Sequence, residues 1–204
     1  MNSANPVSAN DPDLMALIDR CLAGDQSAYA ALYERYASSL FRLAYSVLLD
    51  EQDAEDVLQE ALVYAFRNLQ HYDPSRGAFR TWLYTITISR CRNARRRKWL
   101  PTVALANLLA VGVEPPAPAD ELPEHRAAWA ELHESLRRAL ATLSPRLREA
   151  VALRYGQGLT YREIAEVMEC PQKTAESRIR LAHEQLRKAL SAADEAALAE
   201  LWQV

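Results

Sequence analysis

On either side of one proline-rich break, the apolar residues of this chain recur three and four positions apart. No stretch shows the two-residue alternation of a half-buried strand. That regularity restricts the chain to an all-α fold. Leu14, Leu17, Ile18, Cys21 and Leu22 open the pattern. Ala28, Leu32, Tyr36, Leu40, Leu43 and Val47 form a second stripe, and Val57, Leu58, Ala61, Leu62, Ala65 and Leu69 a third. Glycine is scarce, 5 in 204 residues, while Ala, Leu, Arg and Glu are abundant, which favours helices.

Local punctuation sets the helix ends. Gly24-Asp25 stops the first helix, and a second runs from about Ser27 to Leu49. Asp50 is placed to cap a third helix, with Asp53 at its third position. Pro74 and Gly77 make residues 72–77 a loop, and a fourth helix is expected from about Phe79 to Trp99. Pro115, Pro116 and Pro118 resist helix and strand alike, so residues 101–123 read as a flexible, acidic, Pro-rich linker. Helices resume at about Pro123 to Leu143. Ser144-Pro145 then opens another, expected to reach Tyr155. Thr160-Tyr161-Arg162-Glu163 is a capping box for a short helix ending near Met168, and a last helix runs from Lys173 to Leu190. The resulting division is a disordered lead (1–12), a helical domain (13–100), the linker (101–123), a second helical domain (124–190) and an acidic tail (191–204).

Charge is concentrated rather than spread. The net charge is −3, so the chain as a whole is a poor partner for DNA. Yet residues 50–60 hold Asp50, Glu51, Asp53, Glu55, Asp56 and Glu60 without a base, and residues 76–98 hold eight bases without an acid. Six of those bases fall between Arg90 and Lys98. Tyr64, Phe66, Tyr72, Phe79, Trp82 and Tyr84 lie between or among the two blocks. An acidic face suits a basic protein; a basic face interleaved with aromatics suits a nucleic-acid backbone and its bases. One segment with both points to an adaptor between a protein machine and DNA.

Other classes are excluded by what is missing. Cys21, Cys91 and Cys170 are far apart, and the four histidines are scattered, so no metal site is expected. No Gly-rich phosphate loop and no nucleophile–base pair point to a cofactor or to an enzyme. The longest apolar run, near Val103 to Val113, is too short for the roughly 18 residues of a membrane span. The polar, acidic N-terminus lacks the features of a signal peptide, so a cytoplasmic location is expected.

Residues 159–190 match a helix-turn-helix, the geometry that lays its second helix in the major groove. Ile164, Ala165 and Met168 would bury one side of the first helix; Ala175, Ile179, Ala182 and Leu186 would bury one side of the second. Lys173, Thr174, Ser177, Arg178, Arg180 and Leu181 are left facing outward, where Lys and Arg meet phosphates or guanine and Thr and Ser meet phosphate oxygens. The bland alternative is a helical hairpin with a charged solvent face. Net +3 between Lys173 and Lys188 favours DNA, whereas Glu176 and Glu184 repel phosphate.

Three motifs in this order resemble the extracytoplasmic-function sigma factors of bacterial RNA polymerase, in the sigma-70 family. They are Asp53-Ala54-Glu55-Asp56-Val57-Leu58-Gln59-Glu60, then Phe79-Arg80-Thr81-Trp82-Leu83-Tyr84 with its arginine-rich end, and Leu143-Ser144-Pro145 followed by Tyr161-Arg162-Glu163-Ile164-Ala165. The resemblance implies two domains, sigma regions 2 and 4. Asp53, Asp56, Gln59 and Glu60 would bind the clamp helices of the largest polymerase subunit, and the second domain would meet the flap of the second-largest. Tyr72, Arg76, Phe79 and Arg80 would take a flipped base of the −10 element, and Arg90, Arg92, Arg95, Arg96, Arg97 and Lys98 would grip phosphates at the melting edge. Lys173, Thr174, Ser177, Arg178 and Arg180 would read the −35 element. A separate anti-sigma factor would complete the set of partners, with no membrane insertion and no catalytic residue. The chain departs from the family at Ser89 and Asn93, at Glu169 where the turn usually carries Gly, and at Glu176 and Leu181 on the recognition helix. The rival reading is a dimeric helix-turn-helix regulator that works without polymerase.

Overall fold

In a computed structural model, residues 11–99 and 123–190 are described. The expected acidic tail and all of the linker but Pro123 fall outside these residues, as does the lead up to residue 10. The first four helices are α1 (Pro12–Leu22), α2 (Gln26–Leu48), α3 (Glu51–Arg67) and α4 (Phe79–Trp99). The second four are α5 (Pro123–Thr142), α6 (Pro145–Val151), α7 (Tyr161–Met168) and α8 (Gln172–Ala189). A single 3-10 turn, Leu69–His71, follows α3. The described residues contain no strand.

The ends are capped by the residue types the sequence offers. Asp11 accepts from Asp13 N at 3.1 Å, Asp25 from Ser27 N at 2.9 Å and Asp50 from Asp53 N at 2.9 Å. Asp25 also binds Arg20 at 2.6 Å; these bonds, Ser27's first and then Arg20's, draw its pKa down to about 2. Leu49 joins α2 to α3 with a φ of 58°, the left-handed cap conformation usually left to glycine.

Three helices of the first half pack on a core that includes Leu14, Ile18, Leu32, Leu40, Leu43, Val57 and Ala61. The fourth, α4, is buried on more than one side. Phe79, Leu83, Tyr84, Ile86, Ile88 and Cys91 are all buried, together with Thr81 and Thr87. Thr87 Oγ1 donates to Leu83 O at 2.9 Å, which lets its hydroxyl sit in an apolar setting. A helix apolar around most of its girth needs neighbours on two faces. Its neighbours are α2 and α3 on one side and α7 on the other.

The two halves are therefore packed together. Ala150, Ala152, Leu153, Leu159 and Ile164 belong to the same core as the first four helices, while Leu147 and Val151 face a second core with Ala139, Leu143, Ala182 and Leu186. This explains a difference from the expected helix over 145–155. The α-helix ends at Val151, and residues 152–156 widen into a π turn. Ala150 to Leu153 are four consecutive buried residues. No single face of an α-helix holds four in a row, and here they are divided between two cores.

Candidate functional site

The acidic face is built by the burial of its opposite side. Ala54, Val57, Ala61 and Leu62 anchor α3 in the core. Asp56 and Gln59 are exposed on the other side, and Asp53 and Glu60 are half-buried. Among the described residues Asp56 and Gln59 have no polar partner, whereas the other two do. Lys98 Nζ lies 2.5 Å from Asp53 and 3.4 Å from Asp50, and Arg97 meets Glu60 through two bonds of 3.0 Å. Burial works against the charge on Lys98, but Asp53 and then Asp50 outweigh it and hold the ammonium above its usual value. The acidic and basic blocks thus partly neutralise each other across the α3–α4 boundary.

The loop before α4 is closed by its own side chains. Tyr72 donates its hydroxyl to Gly77 O at 3.1 Å, and Asp73 accepts from Ser75 N and Oγ. Arg76 is exposed. Phe79 is only 1% exposed, with its ring 5.0 Å from Tyr72, 5.5 Å from Trp82 and 5.4 Å from Tyr36. In this arrangement Phe79 is core, and Tyr72 and Trp82, both half-buried, form the outer part of the aromatic cluster.

The arginines of α4 separate into groups. Arg90 stacks over the exposed Tyr64 at 4.5 Å, a cation–π contact, and Arg96 bonds Asn93. Arg92 and Arg95 turn to the second half. Arg92 reaches the carboxylate of Glu149 through Nε at 3.2 and 3.3 Å and Nη2 at 2.9 Å; Arg95 Nη1 lies at 3.5 Å. Arg80 likewise binds Glu163 at 2.8 Å. Burial alone pushes the Glu163 carboxyl up, but bonds from Thr160 and then Arg80 outweigh it and hold it below the usual glutamate value.

In the helix-turn-helix, both bonds of the Thr160–Glu163 capping box are present, and the predicted apolar faces of α7 and α8 are buried. Glu169 occupies the turn with a φ of 52°. Lys173, Ser177 and Arg180 are exposed, with Arg180 bonded to Glu184 at 2.7 Å. Thr174 is half-buried. Arg178 folds back so that Nη1 lies 3.4 Å from Cys170 Sγ and 3.9 Å from Met168 Sδ.

Sequence reasoning missed Glu149. Fully buried, it is bonded by Arg92, Arg95 and its own helix's Arg146 at 3.2 Å. Its one sign in the sequence was the surplus of arginines over any local acid. No group of His, Cys, Asp and Glu among the described residues could hold a metal, and no described helix is long and apolar enough to cross a membrane.

Both halves of the chain match known protein families. The profile of sigma-70 region 2 matches residues 32–100, and that of sigma-70 region 4 matches residues 133–186. The chain is 36% identical over 180 residues to the RNA polymerase sigma-H factor of Pseudomonas aeruginosa, covering 85% of this chain and 92% of that one. It is 36% identical over 175 residues to the ECF RNA polymerase sigma-E factor of Escherichia coli K12, covering 82% and 89%. Among solved structures it resembles CnrH, in complex with the cytosolic domain of CnrY, with a TM-score of 0.63, 28% identity, and coverage of 87% of this chain and 96% of that one. It shares the fold of RpoE from Bartonella quintana, with a TM-score of 0.62, 21% identity and coverage of 79% and 95%. With both regions matched in order and curated relatives spanned almost end to end, the chain belongs to the sigma-70 family, in its extracytoplasmic-function group.

Proposed function

We propose that this chain binds core RNA polymerase, directs it to promoters through their −35 and −10 elements, and opens the −10 region without catalysis of its own. The observation that carries this is the order of the parts: an acidic helix and a basic aromatic helix inside a region 2 match, followed by a helix-turn-helix inside a region 4 match. A dimeric regulator leaves the region 2 match without a role and is not favoured.

Asp53, Asp56, Gln59 and Glu60 bind the polymerase clamp helices, where carboxylates opposite arginines make charge-assisted hydrogen bonds. Asp56 and Gln59, exposed and unpartnered, are available at once. Asp53 and Glu60 exchange Lys98 and Arg97 for polymerase groups, which releases two cations for DNA phosphates. Tyr72, Arg76 and Arg80, with Phe79 as their packed floor, receive the flipped −10 base. Arg90, Arg92, Arg95 and Arg96 hold the adjoining backbone. Trapping unpaired bases offsets a stacking loss of a few kcal/mol per base. Lys173, Thr174, Ser177, Arg178 and Arg180 meet the −35 duplex, with Arg178 leaving Cys170 to do so. The flap of the second-largest subunit is a further contact for region 4. The protein acts in the cytoplasm, and a separate anti-sigma factor restrains it, as membership of the extracytoplasmic-function group implies.

Run-off transcription with core polymerase on a pool of genomic promoter fragments tests this. Chain-dependent transcripts are expected, with at least a tenfold loss for Asp56→Ala with Glu60→Ala. Palindromic duplex binding without polymerase, and no transcripts, would overturn it.

A further inference from the structure

Glu149 is a carboxylate with no exposed surface, lying where the two halves meet. A buried anion is stable only when paired. Two of its three arginines, Arg92 and Arg95, come from α4. An arginine fork on a carboxylate has the same planar geometry as one on a phosphate. Arg80, a third cation assigned to the −10 element, is held by Glu163 from α7. The closure is not only ionic. Arg148 Nη1 donates to Val47 O at 3.2 Å and Gln157 Nε2 to Ser39 O at 3.3 Å, and Leu153, Leu159 and Ile164 share the core of the first half.

We propose that the free chain rests closed, with Glu149 occupying the place of a promoter phosphate between Arg92 and Arg95, so that region 4 shuts the −10 surface of region 2. This rests on the reading of α4 as the −10 surface and α8 as the −35 surface. Geometry requires the state to open. Elements centred roughly 25 base pairs apart are separated by about 85 Å of duplex at 3.4 Å per pair. In the closed chain the two regions touch, α4 meeting α7 and α6 through hydrogen bonds of about 3 Å. The exposed face of α8 stays free, so the closed chain loses single-strand binding at α4 while retaining weak duplex binding at α8. Polymerase, by holding the two regions apart, releases Glu149 from the arginines that DNA then takes.

The test uses the full chain. Small-angle scattering and anisotropy with a random-sequence single-stranded DNA are measured for the wild type and for Glu149→Ala, with helicity checked in both. A larger radius of gyration and at least fivefold tighter single-strand binding are expected for the variant. Identical values in a variant of unchanged helicity overturn the proposal. A second chain, Ser39→Cys with Gln157→Cys in a Cys170→Ser background, is joined by a reducible bismaleimide. Joined, it is expected to lose at least 90% of polymerase-dependent transcription and to recover on reduction; equal transcription in both states overturns the proposal. If the reduced chain fails to transcribe while Glu149→Ala still expands, the promoter reading fails and the closure stands.

Discussion

Glu169 shows how a single backbone angle affects the DNA-binding unit. A side-chain-bearing residue at a φ of 52° is disfavoured by about 1–2 kcal/mol, part of which glycine returns as entropy in the unfolded chain. Glu169→Gly is expected to stabilise the helix-turn-helix by about 0.5–1 kcal/mol, read as a shift in the urea midpoint. The position was legible as a departure from the family pattern; its left-handed angle was not, since Glu has no special preference for it. The cysteines give a second prediction. Burial, then the nearby Glu149, pushes the Cys91 thiol up to about 12, and burial also raises Cys21, so neither is a thiolate at pH 8. Cys170 is half-exposed, with the Arg178 guanidinium beside its sulfur. Iodoacetamide on native protein is expected to label Cys170 first. Equal labelling of Cys91 would mean that α4 is not packed as described.

Among the elements, capping and periodicity were readable because they are local. The Thr160–Glu163 box, the Asp50 cap and the buried faces of α7 and α8 each depend on residues within a few turns of one another. Thr160→Ala removes the hydroxyl that accepts from Glu163 N, and a loss of about 1 kcal/mol in region 4 stability is expected by thermal denaturation. The π turn at 152–156 was not readable, because the demand for it comes from two cores meeting at Ala150–Leu153 rather than from composition. The same holds for the candidate site. The acidic face of α3 and the basic end of α4 were evident as blocks of charge. That Lys98 and Arg97 sit on Asp53 and Glu60 depends on how two helices lie side by side.

The whole molecule joins groups more than fifty residues apart, which is why Glu149 escaped a linear reading. The closed arrangement also carries a pH dependence. Glu163 faces Arg80 and, at longer range, Tyr84 from α4, and its carboxyl is held below the ordinary glutamate value of 4.5. A depressed carboxylate contributes its stabilisation above that ordinary value and loses it as pH falls through the closed-state value. The contribution of Arg80 is the part that opening removes. Scattering between pH 7 and pH 3.5 is expected to show expansion only below about pH 4.5; a constant radius with helicity retained would count against this. On the proposed closure, Arg92 and Arg95 answer to Glu149 in one state and to DNA phosphates in the other. A lineage that exchanges either arginine to alter how firmly it grips the melted strand would then also alter how silent it is when idle. Strength of promoter opening and basal leakiness would thereby be inherited as one trait.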